Sequence, residues 1–344
     1  MPKSGKLSPE ILKDEKEYLN ELRPHYFSEF TGQERIKSNL SISIESSRKR
    51  RDTLDHILFT GPPGLGKTTL AYIIASEMNS RIVTTSGPVL EKPADIAGML
   101  TKLETGDILF IDEIHRIPKP IEEYLYSAME DFKLDIIIDQ GPGARSVLLQ
   151  LEKFTLIGST TRAGLLSSPL LDRFGIRCRL DYYNTDELTE IIKRSAAILG
   201  IKINDDGSET IARRSRGTPR IANRLLKLAR DLAVVKNSDI ISAEIADECL
   251  NNWEIDHRGL DETDKKILLT IIDIYKGGPV GLNALSVAVG EEPGTIEEVY
   301  EPFLIKEGFI RRTSRGREVT ELAYKHLGRE KYIKGRNNQH GLFG

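Results

Sequence analysis

The stretch GPPGLGKTTL, residues 61–70, decides the fold class of this chain. It fits the pattern G-x-x-x-x-G-K-[ST] through Gly61, Gly66, Lys67 and Thr68, and it directly follows the apolar run HILFT, residues 56–60. A glycine-rich turn between a buried strand and a helix exposes backbone N–H groups that can surround phosphates. The stretch therefore predicts a nucleotide site at the edge of an α/β sheet.

The residues of this loop have predicted roles in binding ATP and Mg²⁺. We expect the backbone at Gly64 and Gly66, together with the first helical turn at Thr69, to hold the phosphates. Lys67 would neutralise the terminal phosphates, and the hydroxyl of Thr68 would bind the metal. ATP and Mg²⁺ are therefore the expected cofactors.

A second apolar strand, in DILFIDEIH at residues 107–115, ends in acidic side chains. Ligands of parallel α/β sheets bind outside the carboxyl ends of the strands. We expect Asp112 to hold the water shell of the metal and Glu113 to polarise the attacking water. His115 has no second metal ligand at a useful spacing, so we interpret it as structural, or as a relay to the neighbouring domain.

A third apolar strand, in FTLIGSTTR at residues 154–162, ends at Thr160 and Thr161. A hydroxyl at this edge can bridge the γ-phosphate and the attacking water, and we choose Thr161 for that role. Thr and Ser at a strand end more commonly cap a turn, and that is the alternative interpretation.

Two arginines complete the predicted ATPase site. Arg173, in SPLLDRFG, occupies the position that in this class of ATPase faces the nucleotide of a neighbouring subunit. An arginine supplied in trans accelerates phosphoryl transfer by about a thousandfold or more. The alternative for Arg173 is a surface ion pair with Asp172. Arg220, in RGTPRIANRLL, begins a later helix from which it could contact the γ-phosphate and move its own domain.

The pattern of apolar runs predicts three domains. Between Asp55 and about Leu180, short apolar runs alternate with helical stretches, which is typical of a parallel sheet covered by helices on both faces. A wholly helical region follows, and then three helices and a β-hairpin, the order of a winged helix. The expected divisions are a P-loop α/β domain (1–183), a small all-α lid (184–256), a winged-helix domain (257–330) and a polar tail (331–344).

Composition excludes several classes of protein. The 344 residues carry a net charge of −3, which argues against nucleic-acid binding through bulk positive charge but leaves room for a local basic patch. Cys178 and Cys249 lie far apart without His or Cys neighbours, so neither a zinc site nor a disulfide is indicated. No apolar run is long enough to span a membrane, and we expect a cytoplasmic protein.

The hairpin FIRRTSRGREVT, residues 309–320, predicts a contact with nucleic acid. It carries four arginines on a tight turn, whereas the preceding helix carries Glu297, Glu298 and Glu301, which would repel phosphates on the way into a major groove. We therefore expect Arg312 and Arg317 to bind the DNA backbone without reading sequence. The alternative is a solvated basic loop.

A second hairpin, KLDIIIDQGPGARSVLLQL at residues 133–151, predicts a partner site. Ile136, Ile137 and Ile138 are consecutive, so both faces of the strand are apolar, and an exposed apolar hairpin usually marks an interaction surface. The alternative is that the sheet or a neighbouring subunit covers the second face.

Taken together, these stretches resemble the RuvB family, the bacterial AAA+ motors of Holliday junction branch migration. The resemblance runs from about Leu22 to Thr320 and includes TSGPVLEKPADIAGMLT, EEYLYSAMEDF and GSTTRAGLL, which lie outside the general ATPase motifs. It implies a homohexameric ring around duplex DNA, acting on four-way junctions with RuvA, which would bind the hairpin at 134–150, and with RuvC. By matching position, it also implies nucleotide contacts from Leu22, Arg23, Glu130, Asp131, Phe132 and Tyr183.

Three departures from the family pattern leave every proposed chemical group in place. Leu171 stands where an arginine is expected, Ser314 replaces a proline in the wing, and DQGPGAR differs at the hairpin turn. Two other classes stay open on the residues alone. A clamp loader or initiator ATPase would use ATP as a switch, and a winged-helix transcription factor would need base-reading residues on the third helix.

Overall fold

The computed structural model describes residues 21–137 and 146–330. The chain forms two compact units, Met1–Tyr183 and Asn184–Gly344. Each unit has its own core and is described separately.

The first unit is built on a five-stranded parallel sheet with the strand order β2 (Ile82–Ser86), β3 (Ile108–Asp112), β6 (Thr155–Thr160), β1 (Ile57–Thr60) and β7 (Ile176–Arg179). Ile57, Leu58 and Phe59 of the first strand are consecutive and almost fully buried, because helices cover both faces of the sheet. The strands of this unit are β1 (Ile57–Thr60), β2 (Ile82–Ser86), β3 (Ile108–Asp112), β4 (Lys133–Ile137), β5 (Ser146–Gln150), β6 (Thr155–Thr160) and β7 (Ile176–Arg179). The expected α/β class with a parallel sheet is confirmed.

The helices of the first unit are α1 (Glu34–Arg50), α2 (Lys67–Met78), α3 (Pro93–Leu100), α4 (Lys119–Glu130) and α5 (Ser168–Asp172), with short 3-10 turns at Phe27–Glu29, Gly87–Val89, Ile114–Arg116 and Ala163–Leu165. Helix α2 starts directly at the lysine of the glycine-rich loop. The loop therefore joins a buried strand to a helix, as its sequence predicts.

A buried histidine links the sheet to helix α4. His56 Nδ1 accepts a hydrogen bond from the backbone N–H of Leu156 at 2.8 Å, and Nε2 lies 3.0 Å from the carbonyl oxygen of Met129. This pairing requires a neutral ring with its proton on Nε2. Burial accordingly lowers the pKa of His56.

The β4–β5 hairpin packs one of its faces on the first unit. Leu134 pairs with Leu149; Leu134 is buried and Leu149 packs against the same core. On the opposite face Leu148, paired with Asp135, has 63 % of its surface exposed. Ile136 and Ile137 lie on β4, whereas residues 138–145, which include Ile138, lie outside the described residues, as does the predicted polar tail at 331–344.

The second unit begins with four helices. They are α6 (Thr185–Ile198), α7 (Asp205–Arg213), α8 (Pro219–Val235) and α9 (Ala243–Asn252). Helix α6 is capped by Asn184, whose side chain accepts from the N–H of Glu187 at 2.9 Å while Glu187 accepts from the N–H of Asn184. Cys249 lies buried in this region and Cys178 lies buried in the first unit; both are free thiols.

The second unit ends with the helices and hairpin of a winged helix. These elements are α10 (Glu262–Leu269), extended by a π-helical turn at Thr270–Ile274, then α11 (Leu282–Val289), α12 (Pro293–Thr295), a π-helical turn at Ile296–Tyr300, α13 (Glu301–Lys306), β8 (Ile310–Thr313), β9 (Gly316–Val319) and α14 (Glu321–His326). Val280 adds an antiparallel bridge to Arg317. Gly316 has φ +135°, and a Cβ there would lie 2.2 Å from the carbonyl oxygen of Val280, so the wing turn requires glycine.

Candidate functional site

The predicted catalytic segments of the first unit meet at one edge of the sheet. Strand β6 lies between β1 and β3, and all three run parallel, so their carboxyl ends face the same way. The glycine-rich loop follows β1, Asp112 ends β3, and Thr161 follows the last residue of β6. The fold therefore brings together the three segments that sequence analysis assigned to ATP.

The glycine-rich loop adopts backbone angles that only glycine takes without strain. Gly61, Gly64 and Gly66 have φ values of +134°, +79° and +101°. A Cβ on Gly61 would lie 2.5 Å from the carbonyl oxygen of Leu180. Lys67 Nζ donates to the carbonyl oxygens of Gly61 and Pro62 at 2.7 Å each, so the ammonium group lies across the loop that would hold phosphates.

Asp112 and Glu113 are each fixed by a neighbour. Ser159, which is fully buried, donates a hydrogen bond to Asp112 Oδ1. Glu113 has a left-handed backbone with φ +49°, and its carboxylate accepts from Arg116 Nη1 at 2.9 Å. Sequence analysis missed Ser159, because a serine inside an apolar strand carries no signal of its partner on the next strand.

Thr160 and His115 are hydrogen-bonded to each other. Thr160 Oγ1 lies 2.9 Å from His115 Nδ1 and accepts from the N–H of Arg162 at 2.9 Å. Thr160 is buried, whereas Thr161 is only half-buried and follows the strand. These contacts give His115 a structural neighbour, and the choice of Thr161 over Thr160 stays a prediction.

The described residues hold no grouping of three or more His, Cys, Asp and Glu side chains suited to a metal ion. Thr68 and Asp112 nevertheless offer a hydroxyl and a carboxylate oxygen at the loop and the strand end, and such hard oxygen ligands suit Mg²⁺. A magnesium ion bound here would complete its shell with water and substrate phosphates, which is how Mg²⁺ is usually held in nucleotide sites.

Arg173 is held in place by its own subunit. Its Nη2 donates to Glu130 Oε2 at 2.6 Å, its Nε donates to the carbonyl oxygen of Tyr126 at 3.2 Å, and its guanidinium lies 4.7 Å from the centre of the Tyr126 ring. Asp172 instead pairs with Arg177 at 3.3 Å. The alternative of an Arg173–Asp172 pair is therefore wrong.

The residues assigned to the nucleotide by resemblance fall into two groups. Tyr183 is buried and donates through its hydroxyl to the carbonyl oxygen of Leu65 in the glycine-rich loop at 3.1 Å. Near the start of the described chain, Leu22 is buried and Arg23 stacks over the ring of Tyr72. The second group consists of Glu130, Asp131 and Phe132.

This second group surrounds Arg173 and the β4–β5 hairpin. Glu130 pairs with Arg173, Asp131 is the C-cap residue that follows α4, and Phe132 packs its ring 5.8 Å from that of Phe154. The contacts of Glu130 and Phe132 are with these neighbours and not with the glycine-rich loop. In the second unit, Arg220 lies exposed in the first turn of α8.

On the wing, one buried glutamate binds both candidate DNA-contacting arginines. Arg312 and Arg317 each donate through Nε and Nη2 to the two carboxylate oxygens of Glu301, over 2.6–3.0 Å. Arg312 also donates to Glu297 at 2.9 Å. Burial alone would raise the pKa of Glu301, but the hydrogen bonds and charges of the two arginines outweigh it and lower that pKa.

These contacts correct the explanation given for the acidic third helix. Glu301 is 1 % exposed, so it cannot meet phosphates as sequence analysis expected. Its carboxylate instead orients the wing, where Arg312 keeps half of its side chain exposed and Arg317 keeps 13 %. Arg312 is therefore the more accessible of the two, and the Nη1 group of each arginine lies outside the bonds to Glu301.

Comparison with known proteins finds three matching family models that follow one another along the chain. They are the Holliday junction DNA helicase RuvB P-loop domain at residues 22–180, the RuvB AAA lid domain at 183–256 and the RuvB C-terminal winged helix domain at 257–328. No helix within the described ranges is both long and apolar enough to cross a membrane.

Individual relatives match over nearly the whole chain. The Holliday junction branch migration complex subunit RuvB of Salinibacter ruber is 57 % identical over 95 % of this chain and 95 % of its own length. That of Prosthecochloris aestuarii is 59 % identical over 91 % and 92 %. The structure of the Thermotoga maritima RuvB Holliday junction branch migration motor has a TM-score of 0.83 at 55 % identity, covering 90 % of this chain and 98 % of that one.

Proposed function

The chain belongs to the RuvB family of Holliday junction branch migration motors, and on this premise we propose which residues and which assembly carry out its function. It is an ATP-hydrolysing motor of branch migration. The observation that supports the proposed site best is the convergence of the glycine-rich loop, Asp112 and Thr161 at adjacent carboxyl ends of β1, β3 and β6.

At this site, backbone N–H groups from Gly64 to Thr69 hold the phosphates of ATP, and Lys67 leaves its carbonyl partners to neutralise them. Thr68 and Asp112 would hold Mg²⁺, which would supply charge compensation for the phosphates. Glu113 orients and polarises the attacking water, and Thr161 bridges that water to the γ-phosphate. Leu22, Arg23 and Tyr183 border the base.

The active species is a homohexameric ring. Arg173 carries the charge that a neighbouring site needs at the γ-phosphate, and its bonds to Glu130 and Tyr126 preset its orientation before that neighbour binds ATP. Glu130, Asp131 and Phe132 border the same position. Arg220 responds to loss of the γ-phosphate and moves the lid.

The wing binds duplex DNA through phosphates. Arg312 and Arg317 face the backbone from a hairpin whose Glu301 and Glu297 contacts fix their direction. Phosphate contacts carry no sequence information, which suits a motor that moves along DNA, and they weaken as salt rises. Because its substrate is a four-way junction of cellular DNA, the motor acts in the cytoplasm, where the nucleoid lies.

The β4–β5 hairpin binds RuvA at the junction, and RuvC joins the resolving complex. Leu148 and Val147 of β5 are 63 % and 40 % exposed, and apolar surface of this kind marks a partner site. The consecutive isoleucines at 136–138 belong to the same proposed surface by sequence.

The proposed site is tested with Glu113→Gln beside Glu123→Gln, since Glu123 is an exposed glutamate on α4. The Glu113→Gln variant should bind ATP with unchanged affinity, and its ATP turnover should fall by at least about a hundredfold, because the general base is lost. The Glu123 variant should turn over ATP normally. Normal turnover by the Glu113 variant would remove Glu113 from the mechanism.

A further inference from the structure

Arg216 lies in the turn between α7 and α8, four residues before Arg220. Its side chain is only 9 % exposed, and its backbone has φ +55°. The turn belongs to the region that matches the lid family model, which ends at residue 256. Its guanidinium group contacts residues that lie after residue 256.

The guanidinium of Arg216 bridges the lid region to the winged-helix region. It pairs with Asp261 at 2.7 Å and with Asp264, whose side chain is fully buried. Its Nε donates to the carbonyl oxygen of Gly259 at 2.9 Å, and its Cζ lies 4.8 Å from the centre of the Phe303 ring. One side chain is thus fixed by two carboxylates, a carbonyl oxygen and an aromatic ring.

The two aspartates are themselves fixed at the start of α10. Asp261 is the N-cap and accepts from the N–H of Asp264 at 2.9 Å, while Asp264 accepts from the N–H of Asp261 at 3.0 Å. Burial raises the pKa of Asp264 to about 7, and the charge of Arg216 opposes that rise. Arg216 therefore binds the first turn of a helix, which moves as a rigid element.

Other contacts stiffen the same connection. Arg214 Nη1 donates to the carbonyl oxygen of Ile255 at 3.3 Å, and a Cβ on Gly259 would lie 2.8 Å from the carbonyl oxygen of Arg214. His326 Nε2 lies 2.6 Å from Asp256 Oδ2, which joins the last helix to the connecting segment. The two regions are in close contact on both sides of residue 257.

Phe303 extends this connection to the wing. It lies on α13, two residues after Glu301, the glutamate that binds Arg312 and Arg317. A continuous set of contacts therefore runs from the turn that leads into α8 and Arg220, through Arg216 and α13, to both candidate DNA-contacting arginines. Contiguous packing and ion pairs can carry coupling between two sites, and an experiment has to demonstrate that coupling.

We propose that Arg216, through its ion pairs with Asp261 and Asp264 and its contact with Phe303, is the positioning residue that couples the start of α8, where Arg220 lies, to the wing. The proposal rests on the proposed function, because it takes Arg220 as the group that responds to ATP and the wing as the group that holds DNA. Arg216 touches neither ligand. Its role is to make the lid and the wing turn together, so that hydrolysis moves DNA.

The test compares Arg216→Ala and Asp264→Asn with Asp247→Asn as the matched control. Asp247 pairs with Arg214, so the control breaks an ion pair of the same turn that stays within the lid. Measurements are made about one pH unit above the raised pKa, where Asp264 is ionised. Junctions dissociated per ATP hydrolysed should fall about tenfold or more in both variants, with ATPase rate and duplex affinity within about twofold of the parent.

Arg216→Lys should recover part of the lost ratio, because an ammonium can still pair with one aspartate but has no fork to span both and Gly259. The control should keep the parent ratio. An unchanged ratio in Arg216→Ala and Asp264→Asn would overturn the proposal. So would ATPase, DNA affinity and thermal stability falling in parallel with junction dissociation, since the pair would then only stabilise the fold.

A second readout does not depend on junction movement. Amide hydrogen exchange in β8 and β9 of the DNA-bound protein should change when ATP is added to the parent, and this response should vanish in Arg216→Ala. A parent that responds to ATP but fails to dissociate junctions would contradict the proposed function and leave the coupling supported. A wing response that persists in Arg216→Ala would contradict the coupling alone.

Discussion

At the residue scale, Glu301 makes the wing arginines structural as well as functional. Its carboxylate is buried and holds two guanidinium groups. Removing one side of such a pair leaves a buried charge without compensation. A loss of DNA binding on removing both arginines would therefore have two causes, one in the contact with DNA and one in the fold.

Arg312→Ala combined with Arg317→Ala should lower the free energy of unfolding of the winged helix by about 3–5 kcal/mol, because the buried carboxyl group of Glu301 loses both of its partners. Adding Glu301→Gln should restore much of that stability, but not the affinity for duplex DNA. Thermal unfolding and DNA titrations at several salt concentrations separate the two effects. If the triple variant binds DNA like the parent, the arginines do not contact phosphate.

His56 gives the first unit a dependence on pH. Its pKa is lowered by burial from the ordinary value of 6.5, so the folded state binds fewer protons than the unfolded state below that value. Stability is full above pH 6.5 and declines as pH falls towards the lowered pKa. Protonating Nδ1 would also place two N–H groups against each other at Leu156.

The free energy of unfolding of the first unit should therefore drop between neutral pH and about one unit below the ordinary histidine pKa. His56→Gln should be less stable at neutral pH but should lose this part of the pH dependence. Hydrogen exchange of the β1 and β6 amides at each pH measures this free energy of unfolding. The same pH slope in both proteins would exclude His56 as its source.

At the scale of elements, the sequence predicted the central strands β1, β3 and β6 most directly, because each is a largely apolar run. Elements whose sequence carries no such run were predicted less well. Helix α1 buries only Ile36, Leu40, Ile44 and Ser47 in an otherwise polar segment, and it was not foreseen. The third helix of the winged helix was expected as one piece, but Pro302 has no N–H to donate, and a π-helical turn precedes it.

The candidate site was predictable to a similar extent. Motif spacing indicated Lys67, Asp112 and Thr161, since each ends or follows an apolar strand. Partners on other elements, such as Ser159 with Asp112 or Glu301 with Arg317, depend on tertiary contacts that no local pattern encodes. The same limit explains why the pair of Arg173 with Glu130 was not foreseen.

The hairpin proposal leads to a test at the same scale. Leu148→Asp should weaken RuvA binding by about tenfold or more, because a charge replaces an exposed apolar contact at an interface. Ile42→Asp is the matched control, since Ile42 is 65 % exposed on α1 against 63 % for Leu148. ATPase activity without RuvA should stay unchanged in both. Equal loss, or no loss, of RuvA binding in the two variants would exclude the hairpin.

At the scale of the whole molecule, one chain carries all the residues proposed for the motor, but two copies of the chain would share each ATP site. The sequence of one chain does not show that Arg173 acts on a neighbour, because the surface that Arg173 would contact belongs to a second copy of the chain. Family membership shows the motor, while the ring is supported by an arginine that its own subunit holds in a fixed direction.

Mixing two inactive variants tests this sharing. Arg173→Ala should lower ATP turnover by about a thousandfold or more, and Glu113→Gln should also be inactive. A mixture should regain activity, because a Glu113→Gln subunit supplies its arginine to the intact site of an Arg173→Ala neighbour. ATPase rates are measured across mixing ratios. No recovery at any ratio would place Arg173 in the site of its own chain.

The most direct test of the motor is the ATP-dependent dissociation of a synthetic four-way junction with heterologous arms, with and without RuvA. The ATPase rate on linear duplex is measured beside it. Dissociation should require ATP and should rise at least about tenfold with RuvA, because RuvA holds the junction against which the ring pulls. ATP hydrolysis without junction movement under both conditions would contradict the account and favour an ATP-dependent switch.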